Sequence, residues 1–183
     1  MRRIVQSLAT GVALAGLVAS AGAQAPQQSK PGPEHKRLGY FVGTWKTEGK
    51  VEPGPMGPGG KMTSTDTCEW FEGGFAVICR GEGQSPMGPG ESIGIMTYNQ
   101  DQKFYTYYGV DSSGMMAMTS IPRGTVQGDT WTYTDESMMG GQKVKNRVTL
   151  EEVSPKEYTF RMEIQGADGK WMQVMESKST KVK

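Results

Sequence analysis

Between Tyr40 and Lys178 the chain repeats one pattern: a short run rich in Thr, Val, Tyr, Phe and Trp, then a break of Gly, Pro, Asn, Asp or Ser. Runs this short, broken this often, have the signature of strands joined by hairpins. The spacing predicts strands near 40–51, 61–71, 75–83, 91–99, 103–110, 115–121, 129–136, 142–151, 156–165 and 169–178. The expected turns are Gly73-Gly74, Asn99 to Gln102, Asp111 to Gly114, Arg123-Gly124, Gly140-Gly141, Ser154-Pro155 and Gly166 to Gly169. Tyr158, Phe160, Met162 and Ile164 alternate with Thr159, Arg161 and Glu163, and Val144, Val148 and Leu150 with Lys143, Lys145 and Arg147. One apolar and one polar face per strand, with hairpin links throughout, predicts an antiparallel sheet. About ten strands laid flat would leave long unpaired edges, so the expected fold is all-β: an up-and-down barrel closed on itself. Pro33 to Leu38 can form a short helix before it, with Pro33 at the first position and Glu34 in the first turn.

The first residues read as an address. Met1-Arg2-Arg3, an apolar stretch from Leu8 to Ala19 and Ala21-Gly22-Ala23 follow the order of a secretory signal peptide. Cleavage after Ala23 divides the chain into a signal peptide at 1–23, a flexible spacer at 24–32 and a single barrel domain at 33–183. The apolar part is short for a span of ~30 Å of hydrocarbon, and no membrane span is expected. The localisation implied is periplasmic or secreted, by bacterial export.

Export gives the two cysteines a meaning. Gly73-Gly74 suits a two-residue hairpin turn, because glycine takes positive φ without steric cost. Pairing outward from Glu72 and Phe75 sets Cys68 directly opposite Cys79, within the Cα spacing a disulfide accepts. An oxidising compartment makes a structural cross-strand bond the expectation, since the spacing does not match a CxxC redox or metal pair.

Lys and Arg total 20 against 19 Asp and Glu, a formal charge of +1, and mean hydropathy is −0.52. No basic cluster breaks this balance, which excludes a phosphate-binding surface and with it a nucleic-acid partner. His35 is the only histidine. A serine–histidine–aspartate triad or a two-histidine zinc site has no material beyond it. The pairs Asp66/Glu69 and Asp135/Glu136 fall on opposite or exposed strand faces, as solvated charges do, so no acid/base dyad is read.

The run Glu34 to Gly49, in which a short helix leads into a first strand carrying Gly43 and Trp45, resembles the opening of calycin-like barrels. The chain is most similar to a domain-of-unknown-function family of exported bacterial proteins related in appearance to nitrobindin and the lipocalins. The Pro55 to Gly60 punctuation and the tyrosine-rich stretch from Tyr98 to Tyr108 fit that family, over roughly 33–178. The resemblance implies a barrel of eight to ten strands with a small-molecule cavity, and no known reaction. Nitrobindin-like proteins hold haem through a histidine near the C-terminus. Here Trp171 to Lys178 contains none, and His35 in the opening helix reads as a surface or capping residue.

Methionine is over-used: 13 residues, clustered as Pro-Met-Gly-Pro-Gly at 55–59 and 86–90, as Met115-Met116-Ala117-Met118 and as Met138-Met139. Met116 and Met118 on one strand face are the arrangement a Cu(I) site would use. Adaptable apolar lining or plain packing are the other uses of such residues. No cofactor and no metal site are assigned. The functional expectation is a barrel that binds a small apolar or amphipathic ligand, with the rival reading from another class an enzyme, a haem-assisted or lyase-like activity in the same barrel. Strand parity puts Trp45, Tyr105, Tyr107, Met116, Met118, Trp131, Phe160 and Met162 on the ligand-binding wall. The alternatives are a haem- or copper-dependent protein in the same barrel, or a filled barrel that meets an envelope partner through its Met/Gly-rich loops. Oligomeric state is not legible.

Overall fold

The computed structural model describes residues 30–54, 57–112, 121–139, 142–166 and 168–183. The expected signal peptide at 1–23, most of the 24–32 spacer, Met115, Met116, Met118 and the Gly140-Gly141 turn lie outside these residues.

Helix α1 (Pro33–Arg37) starts as the sequence predicts, with proline where no amide donor is needed. The Gly32 N–H donates to His35 Nδ1 at 3.3 Å, so the histidine helps cap its own helix. It is not on the surface. His35 is 2% exposed and wedged edge-on between Phe75 and Tyr98, with ring centroids 5.0 and 5.7 Å away. Leu38–Phe41 continues as a 3-10 turn, whereas the sequence pattern starts the first strand at Tyr40. Burying Leu38 and Phe41 under the barrel end outweighs the strand preference of Tyr40 and Phe41.

Ten strands follow: β1 (Gly43–Val51), β2 (Gly60–Trp70), β3 (Ala76–Ser85), β4 (Gly88–Asn99), β5 (Phe104–Asp111), β6 (Arg123–Gln127), β7 (Thr130–Met139), β8 (Gln142–Ser154), β9 (Glu157–Gln165) and β10 (Trp171–Lys181). Each pairs antiparallel with the next, and β10 returns to β1, with Trp45 opposite Lys181 and Val51 opposite Met175. The barrel is closed. No helix among the described residues is long and apolar enough to cross a membrane.

The Gly73-Gly74 hairpin has the expected register. Both glycines have positive φ, 90° and 74°, and Cys68 lies opposite Cys79. The two are bonded across the strands, with Cα atoms 4.0 Å apart. The second Pro-Met-Gly-Pro-Gly is turn chemistry as read, since Pro86-Met87 links Ser85 to its ladder partner Gly88.

One strand differs. The strand expected at 115–121 falls almost wholly outside the described residues, and Arg123-Gly124, read as a turn, begins β6. Gly124 sits inside the ladder, opposite Tyr105 on one side and Tyr133 on the other. The Tyr133 ring lies over it in the space a Cβ would fill. An aromatic ring covering a strand glycine makes it a packing position, and the real turn comes at Gly128, with φ 60°.

Candidate functional site

The register assigns the inner face. Buried Trp45 and Thr47 define it on β1, and their ladder partners carry it round the barrel. Trp45, Tyr105, Tyr107, Trp131, Phe160 and Met162 all face inward, and Met116 and Met118 lie outside the described residues.

These six inner residues do not play one role. Trp45 and Trp131 are 1% and 0% exposed and belong to a plug at the helix end of the barrel. The Trp45 indole N–H donates to the Phe41 carbonyl oxygen at 2.7 Å, and Trp131 stacks edge-on with Phe41 and Tyr105 at 5.1 and 4.9 Å. Arg37 of α1 locks the plug. Its guanidinium is 2.7 Å from Glu152 and 5.4 Å from the Trp131 ring, and Trp131 Nε1 donates to the same Glu152 at 2.6 Å. Lys181 completes this floor, donating to the Tyr40 carbonyl oxygen at 3.0 Å and lying over the Trp45 ring at 4.7 Å.

Beyond the floor, Val148, Leu150, Phe160 and Met162 face inward and are less fully buried than Trp45 and Trp131. Space on this side follows from composition, because Gly49, Gly81, Gly83 and Gly94 take inner positions on β1, β3 and β4. Tyr107 fills part of it, its ring lying across Gly94 and Gly109.

The lumen also carries polar groups that sequence reasoning missed. Asp66 and Asp135 are the inward members of the carboxylate pairs, which straddle two faces as the parity predicts, and Asp66 is part-buried rather than a solvated surface charge. Burial raises the Asp66 pKa, opposed by the Ser64 hydroxyl, which donates to Oδ2 at 2.6 Å. Burial pushes Tyr107 up to about 12, with the charges of Asp66 and Asp111 adding to the rise. Tyr158 also reaches about 12, through burial first, against a hydrogen bond to Ser179 that lowers it and the charge of Asp66 that raises it. Tyr133 is raised furthest, by burial and then by Tyr105 and Tyr107. Tyr133 and Asn146 are each 6% exposed, and the Tyr133 hydroxyl and Asn146 Oδ1 have no hydrogen-bond partner among the described residues. A signal for Asp66 existed in the sequence: it is two residues from Cys68, and so shares the inner face.

The inner face is of mixed chemistry: aromatic at the helix end, apolar and aromatic along the wall, with polar groups on both sides of the ring, Asp66 on β2 and Tyr133 and Asn146 on β7 and β8. Groups of three or more His, Cys, Asp or Glu side chains able to hold a metal are absent among the described residues. The outer face is different. Two adjoining open grooves of about 870 and 590 Å³ are lined by Glu48, Arg80, Glu82 and Glu91 among others. Beside them the outward pairs Ile93–Val110 and Ile95–Tyr108 form an exposed apolar strip.

Solved structures share this architecture. A crystal structure of Rv2717c from M. tuberculosis aligns with a TM-score of 0.58 at 11% identity, over 83% of this chain and 99% of that one. An S-type phycobiliprotein lyase, CPES, from Guillardia theta aligns at 0.54 and 12%, over 82% and 93%. A de novo designed fluorescence-activating β-barrel aligns at 0.44 and 17%, over 79% and 95%. At these identities the first two likenesses establish the shared fold and no shared activity. No curated protein matches the sequence. Residues 30–181 match the model of a family described as protein of unknown function (DUF1579).

Proposed function

The chain belongs to the DUF1579 family of proteins of unknown function, and on that premise we propose that its barrel binds a small amphipathic molecule in the lumen. One observation carries this reading: side chains that face the barrel interior, Leu150, Phe160 and Met162 among them, remain partly accessible to water. A packed core would bury them, and an apolar wall left wet is stabilised by whatever apolar surface covers it, at ~25 cal/mol per Å². Inner polar groups, Asp66 on one wall and Tyr133 and Asn146 on the other, fix the orientation of the ligand's polar end. Trp45 and Trp131 set the depth of the site as its floor.

We place this binding outside the cytoplasm. The Cys68–Cys79 bond supports that, as does the leader-like sequence at 1–23. N-terminal sequencing of the protein from its own organism checks it, with Gln24 as the expected first residue.

Native mass spectrometry of that material, with an absorption spectrum alongside, tests the binding. A co-purifying organic mass supports the lumen reading. A haem band or a copper mass overturns it in favour of a cofactor protein. A clean apo mass, with no uptake of added hydrophobic probes, moves the function to the outer face, where the strip of Ile93, Ile95, Tyr108 and Val110 favours a protein partner.

A further inference from the structure

One stretch of the outer wall is unlike the rest. Outward positions carry Lys46, Glu48 and Lys50 on β1 and Lys145, Arg147 and Thr149 on β8, as a surface facing water does. On β4 and β5 the outward ladder pairs are Ile93–Val110 and Ile95–Tyr108, each residue between 37% and 56% exposed. Half-buried Ile78 of β3, opposite Ile95, widens the block. Large apolar side chains set side by side on a rigid sheet form a contact surface. The strip also carries opposite charge at its two ends. At one, Glu82 of β3 stands directly opposite Glu91 of β4, and neither carboxylate has an ion-pair partner among the described residues. Like charges facing each other across a ladder repel, so this end lacks a cation. Arg80 stands at the β3 margin, opposite Ile93, and pairs with neither glutamate. At the other end, past the Thr97–Thr106 pair, come exposed Lys103 and Arg123. The Arg123 guanidinium lies 4.7 Å from the Phe104 ring and donates to Gln102 Oε1 at 3.2 Å, both neutral groups.

We propose that this face pairs with the same face of a second copy of the chain, in a dimer whose two-fold axis runs across the strands at the level of Ile95 and Tyr108. That level lies midway along β4 between Glu91 and Asn99, the residue beside the Lys103 turn, and at strand spacing these two ends are about 27 Å apart. The rotation lays the Glu82–Glu91 end of each copy on the Lys103–Arg123 end of its partner, with apolar side chains meeting between them. Stacking the copies in the same direction instead would set glutamates against glutamates, which the charge pattern opposes. An interface three strands wide is at the low end of the area that specific complexes bury, so the dimer is reversible. The contact uses the side wall, and the helix ends of the two barrels point in opposite directions. The inference goes beyond the lumen reading and does not depend on it.

The test is sedimentation velocity of the disulfide-bonded chain at pH 7, from about 5 to about 500 μM, where a reversible dimer of this size populates both states. The expected result is a concentration-dependent shift from monomer to dimer that weakens as salt is raised, because the end charges are exposed. Ile93→Lys, which points outward and is checked for folding by circular dichroism, should leave the chain monomeric throughout. Glu91→Lys and Lys103→Glu should each weaken the dimer about tenfold, since two-fold symmetry counts every change twice. The double variant Glu91→Lys/Lys103→Glu restores opposite charges across the axis and should return to within about threefold of the parent. A chain that stays monomeric over the whole range overturns the proposal, also where the strip then binds lipid vesicles or a different protein. A dimer that Ile93→Lys leaves intact overturns it too, and a double variant no tighter than either single one overturns the antiparallel arrangement.

Discussion

Thr47 and Ser179 are 132 residues apart in sequence, and their hydroxyl oxygens are 2.7 Å from each other inside the barrel, on the seam where β1 meets β10. Both side chains are buried, at 7% and 1% exposure. Ser179 also reaches the Tyr158 hydroxyl. The closure of the barrel thus carries a small polar network from its first strand to its last two.

Removing one partner of that network leaves another buried and unpaired. Ser179→Ala should cost about 1–3 kcal/mol in urea denaturation, because Thr47 and Tyr158 both lose a partner. Thr47→Val alone should cost less, since Ser179 keeps Tyr158. The double variant should fall short of the sum of the two, as contacting residues do. Additive costs would mean the three hydroxyls do not act together.

The Cys68–Cys79 bond closes a loop of about 12 residues, which the chain-entropy account values at roughly 3 kcal/mol. The Cys68→Ala/Cys79→Ala variant should lose about that much stability in non-reducing denaturation and become insensitive to added dithiothreitol. The loss should appear with little change in the hairpin register, because Gly73 and Gly74 set that independently.

Gly124→Ala should destabilise the barrel by about 1–3 kcal/mol, because the new methyl group needs the space held by the Tyr133 ring. Gly124 is not among the glycines with positive φ, so backbone strain of the kind a turn glycine relieves is absent there, and a loss in the thermal melt reports the ring contact.

That position also marks where the sequence was and was not legible. Alternation puts Trp45, Tyr105, Tyr107, Trp131, Phe160 and Met162 on one face, and the strand register turns that face inward, since period two leaves no choice once one strand is in register. Turn chemistry located the Gly73-Gly74 hairpin because two glycines had no other use there. Gly124 misled for the same reason: whether a glycine turns the chain or receives a ring depends on Tyr133, a residue on another strand. Asp66 was hidden by a sound general rule, that charges face water. The rule fails at Asp66, which the register places on the inner face opposite Trp45, with a donor from Ser64 to hold it. What His35 does was equally non-local, because its burial is supplied by Phe75 and Tyr98.

The helix plug hangs on Arg37 and Glu152. Glu152 is almost buried, with its side chain 8% exposed, and receives both the guanidinium and the Trp131 indole N–H. Arg37→Ala leaves a buried carboxylate with one donor and should cost about 2 kcal/mol. It should also shift the tryptophan emission as Trp131 gains water. Arg37→Lys should recover only part of the loss, since an ammonium lacks the guanidinium's flat contact over the indole ring.

Asp66 gives stability a dependence on pH of unusual sign. Its pKa in the folded barrel is raised above the ordinary aspartate value of 3.8, chiefly by burial, so the folded state holds the proton more firmly than the unfolded chain. Stability from this group is therefore fully present below the unfolded pKa and is lost as pH rises through the folded one. At neutral pH the ionised carboxylate opposes folding. Asp66→Asn should then melt at a higher temperature than the parent at pH 7, with the advantage fading as pH falls through the raised folded value and gone below the ordinary value of 3.8. If Asp66→Asn melts lower than the parent at pH 7, the hydrogen bond that Ser64 donates to Asp66 outweighs the cost of burying the carboxylate, and Asp66 is a structural acceptor.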